Sequence, residues 1–177
     1  MSIPSKRLIS RLKKSEGFRA EPYLCPAGFV TIGYGHNLEA DPAEIRAIDP
    51  ALAAQVEAGT LKGANLLARL KNLGMRWGAD EAEQTLLDDV AYVIRQLSGL
   101  CPAYTKLAAS GDETRAEVLI DMAFNMGVAG LLKFKNTLAA VERGDYDAAA
   151  SGMLASKWAS QVKGRAVELA RQMRMGE

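Results

Sequence analysis

Between residues 19 and 39 the hydrophobic period of this chain changes and then changes back, a switch that limits the folds open to it more than any other feature. Before it, Ile9, Leu12 and Phe18 are interleaved with Lys and Arg as on one face of a helix, and "EG" at 16–17 offers a glycine stop near Ser15 or Glu16. Within it, "RAEPYLC", "FVTIGY" and "HNLE" are short, rich in aromatic or β-branched residues and cut by "PAG" and "YG". They predict three small antiparallel strands. After it, the helical period runs almost to the end. Asp41-Pro42 and Asp49-Pro50 read as helix starts, and Leu66, Leu70 and Leu73 mark a helix closed by Gly74. A long helix opens at Ala79 or Asp80 with Leu86, Val90, Val93, Ile94 and Leu97 on one stripe. Another follows "SGDE", and further helices begin near Phe134, Asp145 and Val162. The fold class is therefore α+β, a small sheet lobe near the N-terminus joined by the long helix to a mainly helical lobe.

A chain of 177 residues with 49% hydrophobic side chains fits one domain able to bury a real core. The expectation is a single domain over 1–177, with a sheet lobe at about 17–78 and a helical lobe at about 79–177 that includes the N-terminal helix. No apolar run approaches the roughly 18–20 residues needed to cross a bilayer, so stable membrane insertion is not expected. "MSIPSKRLISRLKKSEG" carries charges where a signal peptide has its apolar core. Cys25 and Cys101 form neither a CxxC nor a Cys/His ligand spacing, which predicts two free thiols and no zinc site. The Met residues at 122 and 126 fall on the helical stripe of Leu119 and read as core filler.

The net charge of +1 hides an asymmetry. Residues 1–19 hold six Lys or Arg and one Glu, residues 20–60 one Arg and six acids, and residues 133–177 eight basic and five acidic groups. Basic ends of this kind either attract a polyanion or are solvated helix faces. No zinc-finger, basic-zipper or aromatic RNA-binding pattern favours nucleic acid as a partner.

Glu16 stands at the end of the first helix, where the helix dipole disfavours a further negative charge. A carboxyl group held protonated there suits a general acid that protonates a leaving glycosidic oxygen. Glycosidases pair such an acid with a second carboxylate, yet the strands offer Cys25 and Thr31. A free thiol ionises about four to five pH units above an aspartate, and a threonine orients a water without readily deprotonating it. The residues alone leave this site undecided. A thiolate–imidazole pair of Cys25 with His36, the single histidine, is a competing arrangement.

"EGFRAEPYLCPAGFVTIGYGH" resembles the N-terminal signature of the phage-type lysozymes, glycoside hydrolase family 24. Glu16, Cys25 and Thr31 fall in the register of that family's catalytic Glu, Asp or Cys, and Thr, so Cys25 stands where the family more often has aspartate. "DEAEQTLLDDV", "MAFNMGVAG", "FKNTL", "YDAAA" and "SKWASQVKGRA" resemble successive landmarks of the same family, and the likeness spans about residues 5–175. Region 38–78 is longer and more helical than in the T-even phage members.

The resemblance implies a lysozyme-like fold and a muramidase that hydrolyses the β-1,4 bond between N-acetylmuramic acid and N-acetylglucosamine. It implies Glu16 as proton donor, Thr31 as a holder of the attacking water, and Cys25 at the position that polarises the water or supports oxocarbenium charge. Arg165 matches the arginine set against the catalytic Glu, and His36 and Asp89 match a structural ion pair, which weakens the case for Cys25 with His36. Asn37, Phe124 and Thr137 match sugar-contact positions, and Gly152 matches another but has no side chain to offer. No cofactor or metal is implied. The implied partner is bacterial peptidoglycan, acted on by a monomeric endolysin held in the host cytoplasm until a separate membrane pore releases it for lysis. A catalytically weak wall-binding domain, or a toxin of the same fold, is the alternative.

Overall fold

The computed structural model describes residues 4–177; Met1–Ile3, included in the expected single domain, lie outside the described residues. The chain divides into two compact units, Ser5–Asp89 and Val90–Glu177, the latter also taking in Pro4. The observed class is α+β, mostly helical with one small antiparallel sheet, as the switch in period predicts.

In the first unit, helix α1 (Lys6–Glu16) starts at Ser5, whose hydroxyl accepts from the Leu8 amide at 3.1 Å. This cap satisfies one of the otherwise unpartnered first-turn donors. Leu8, Ile9 and Leu12 are its buried stripe. Strands β1 (Arg19–Leu24), β2 (Val30–Gly33) and β3 (His36–Asn37) follow in sheet order β1-β2-β3, all antiparallel. The sequence reading assigned α1 to the helical lobe. Its C-terminal end is tied to Glu83 by an ion pair through Lys13 and to the turn between β2 and β3 by Lys13 over the Tyr34 ring, with Phe18 just beyond it 5.6 Å from Tyr34, and it belongs to the first compact unit.

The turn between β1 and β2 follows from two residues. Pro26 presets the φ needed just after Cys25, and Gly28 adopts φ +86°, which a residue with a Cβ rarely tolerates. The Cys25 carbonyl accepts from Gly28 N at 2.8 Å, and Cys25 N donates to the Phe29 carbonyl at 2.9 Å. The hairpin register is thereby fixed, with Tyr23 opposite Thr31 and Leu24 opposite Val30.

Region 38–78 supplies α2 (Ala43–Ile48), α3 (Pro50–Glu57) and α4 (Gly63–Asn72). Asp49 caps α3 through the Leu52 amide, with Pro50 in the first turn. At α2 the helix starts one residue later than Asp41-Pro42 predicts: Pro42 is the cap, and Asp41 reaches forward to the Ala43 amide. Leu38, Ile45, Leu52, Val56, Leu66 and Leu70 from these segments pack with Val30 and Ile32 of β2 into one core, together with Met75, Trp77 and Ala82. Gly33 lies under that core's aromatic edge, where a Cβ would meet Trp77 Cε3 at 2.8 Å. Glu39 adds a polar tie, its Oε1 accepting from Val30 N at 2.8 Å and Gly63 N at 3.0 Å.

Helix α5 is Ala79–Leu100, with Leu86, Val90 and Leu97 buried. The second unit adds α6 (Pro102–Ser110), α7 (Glu113–Met126), α8 (Val128–Leu131), α9 (Lys135–Arg143), α10 (Tyr146–Leu154), α11 (Lys157–Val162) and α12 (Gly164–Met175). The helix that the sequence places near Val162 is α12, which starts at Gly164; the short α11, which the sequence reading does not include, ends at Val162 just before it. Helix α7 starts at Asp112 and buries Leu119, Met122 and Ala123, the apolar stripe read from sequence. Helix α10 packs on α9 and α12 through Ala149, Ala150 and Met153.

Candidate active site

In the unit Ser5–Asp89, Glu16 is the last residue of α1, half-buried, with its carboxylate over Gly35: a Cβ there would lie 3.5 Å from Glu16 Oε2. The turn joining β2 to β3 therefore runs alongside the acid, with Gly35, at φ +87°, facing the carboxylate at van der Waals distance. Thr31, 5% exposed, sits in mid-β2 with Tyr23 opposite on one side and Asn37 opposite on the other. Its hydroxyl donates to the Tyr23 carbonyl at 3.4 Å. Asn37 uses its side-chain oxygen locally, accepting from the amides of Glu39 at 2.9 Å and Ala40 at 3.2 Å. That bond fixes the turn and the orientation of the side-chain amide.

Cys25 closes the β1 end of the hairpin and is half-buried and free. His36 lies opposite Ile32 in β3, and β2 separates β3 from β1. The neighbouring-strand placement that a Cys25–His36 pair needs is therefore absent. Instead His36 Nδ1 meets Asp89 Oδ2 at 2.9 Å, 53 residues away in sequence. Burial opposes charge on the imidazole, but the hydrogen bond and charge of Asp89, with the charge and backbone carbonyl of Asp41, outweigh it and raise the His36 pKa above its ordinary value. Trp77 stacks near the ring at 5.5 Å.

In the unit Val90–Glu177, Phe124 is half-buried near the end of α7, and Thr137 is buried in α9. Thr137 Oγ1 faces Gly152 of α10, where a Cβ would approach it to 2.6 Å, so Gly152 is what lets these two helices come close. Arg165, in the first turn of α12, donates through Nε to Asp121 Oδ1 at 2.8 Å, with Asp121 fully buried. Trp158 Nε1 donates to Asn125 at 2.9 Å and stands edge-on to Phe134. Sequence reasoning missed Asp121, although an acid inside the apolar run "VLIDMAF" is itself a signal that a buried cation is near. Among the described residues, no three His, Cys, Asp or Glu side chains group as a metal site, and no helix is long and apolar enough to cross a membrane.

A small three-stranded sheet with an acid at the preceding helix end, followed by helices that hold a buried Asp–Arg pair, defines a lysozyme-like α+β protein. The phage lysozyme family model matches residues 13–175, and the chain belongs to that family. The chain is 29% identical over 164 residues to the pre-baseplate central spike protein Gp5 of Enterobacteria phage T4, covering 92% of this chain and 27% of that protein. It therefore spans about a quarter of the spike protein's length. It is 26% identical over 157 residues to the probable T4-type lysozyme 1 of Dictyostelium discoideum, covering 87% of this chain and 85% of that protein.

Proposed function

We propose that this protein is an N-acetylmuramidase that hydrolyses the β-1,4 bond between N-acetylmuramic acid and N-acetylglucosamine in bacterial peptidoglycan, and that it serves as a phage or prophage endolysin in host lysis. What supports the reading is that Glu16 at the end of α1, Cys25 at the hairpin turn and Thr31 in β2 all belong to one compact unit, in the register of the family resemblance read from the sequence.

Glu16 is the proton donor to the leaving glycosidic oxygen. As the bond breaks, positive charge develops on the sugar ring. A water placed by the Thr31 hydroxyl attacks the anomeric carbon, and its proton is lost to solvent or to the newly formed Glu16 carboxylate. Cys25 occupies the position next to this charge. As a thiolate it stabilises the oxocarbenium character and polarises the water; as a nucleophile it would give a covalent intermediate and retention of configuration. By the family resemblance Arg165, held in orientation by Asp121, is assigned to catalytic support, as are His36 and Asp89, which pair with each other. Asn37, Phe124 and Thr137 contact the sugars. Before lysis the enzyme waits as a monomer in the host cytoplasm for a separate membrane pore.

The replacement of the usual aspartate by Cys25 favours one competing reading, a catalytically weak wall-binding or toxin domain. Product analysis separates the two. Wild-type protein is expected to release fragments from purified peptidoglycan whose new reducing ends are muramic acid by mass spectrometry. Cys25→Asp should retain this activity, and Cys25→Ser should lose most of it. Wall binding by folded protein without glycan cleavage would establish the competing reading. Burial pushes the Cys101 thiol pKa up, so alkylation should inactivate through Cys25, with wall fragments protecting it.

A further inference from the structure

Among the described residues, Lys163 is the one non-glycine residue at positive φ. It joins α11 to α12 at φ 51° and ψ −113°, a conformation that a Cβ disfavours and that glycine adopts freely. A glycine stands next to it, yet Gly164 opens α12 without a positive φ and does not take the turn. The Lys163 side chain is exposed, so no buried contact of its own dictates the backbone.

What holds this joint lies on both sides of it. Lys163 N donates to the Ala159 carbonyl at 2.9 Å, which closes α11, and the Lys163 carbonyl accepts from Ala166 N at 3.0 Å, which opens α12. On α11, buried Trp158 donates through Nε1 to Asn125 Oδ1 at 2.9 Å. On α12, Arg165 Nε donates to Asp121 Oδ1 at 2.8 Å. Asp121 and Asn125 are one turn apart on α7, so a single helix face grips both neighbours of the strained residue. Backbone strain of this kind persists only where the surroundings over-determine it. We infer that Lys163 is a positioning residue: its positive-φ joint, clamped through Asn125 and Asp121, aims the first turn of α12 so that the Arg165 guanidinium stays on Asp121. The consequence for hydrolysis rests on the catalytic support proposed above for Arg165.

Three variants of the full chain test this. Lys163→Gly keeps the joint without the strain, Lys163→Ala keeps the strain without the long side chain, and Lys163→Val adds a β-branched side chain that the conformation excludes. Lys163→Gly should raise Tm by about 2 °C, and Lys163→Ala should leave it where it is. In Lys163→Val the NMR signal of the Arg165 Nε–H should move toward its solvent-exposed position, while in Lys163→Gly it should stay in place. Lys163→Val should slow peptidoglycan hydrolysis by the same factor as Arg165→Gln, and the double variant should be no slower than either. A Tm gain absent from Lys163→Gly, or matched by Lys163→Ala, would overturn the inference. So would an unmoved Arg165 signal in Lys163→Val, or rate losses that multiply in the double variant. If Lys163→Val does not fold, the glycine and alanine variants decide. If wild-type protein does not hydrolyse peptidoglycan, or Arg165→Gln hydrolyses it as fast, the functional reading falls instead, and Tm with the Arg165 signal decides the joint.

Discussion

The two compact units handle charge and close packing by different means. In residues 5–89 the ion pair at His36 and Asp89 involves a group that titrates, and Asp89 keeps 30% of its side chain in solvent. In residues 90–177 the pair at Asp121 and Arg165 has side chains 0% and 13% exposed. Close approach differs as well. Gly33 meets Trp77 at a backbone conformation with φ +64°, whereas Gly152 meets Thr137 from ordinary helix. At Gly33 close approach therefore depends on a backbone conformation that few residues adopt, and at Gly152 on the absence of a side chain in ordinary helix.

The largest stability loss should come from the helical unit. Asp121→Asn removes the charge that answers Arg165 in a buried setting, which typically costs about 3 kcal/mol or more. Thermal unfolding should register it. A loss under about 1 kcal/mol would mean that this pair is not the anchor of the unit. Next in size is Gly33→Ala, which combines a positive φ with a Cβ placed 2.8 Å from Trp77 and should cost about 2–3 kcal/mol. Near-UV circular dichroism should show the Trp77 environment change in parallel.

Asp89→Asn should have a smaller effect, and a pH-dependent one. The His36 pKa is raised in the folded state, so the pair's contribution is fully present below the unfolded histidine value near 6.5 and is lost as pH rises through the folded value. The substitution should cost about 1–2 kcal/mol at pH 5 and little at pH 9. Equal losses at both pH values would show that Asp89 acts by packing, and the contrast between the two units would fail.

What the sequence revealed divides along the same physical line. Local signals were legible: Pro26 and Gly28 for the hairpin turn, Asp49 with Pro50 for α3, and the Leu119 stripe closed by Gly127 for α7. Features set by distant partners were not. Nothing near Glu39 announces that its carboxylate will accept from amides at both Val30 and Gly63. Nothing in the spacing of Asp121 and Arg165, 44 residues apart, pairs them. The four-residue helix α8 escaped because so short a segment carries too little period to be read. The residues of the candidate site came into view through the family resemblance, since Cys25 and Thr31 by themselves leave several chemistries open.

The central claim is that Glu16 acts as the acid of a glycan hydrolase. Its most direct measurement is the rate of turbidity loss of purified peptidoglycan with wild-type protein beside Glu16→Gln, after equal thermal stability has been established. The account predicts lysis by wild-type protein and a loss of about two to four orders of magnitude in rate for Glu16→Gln. Comparable lysis by both proteins would contradict it.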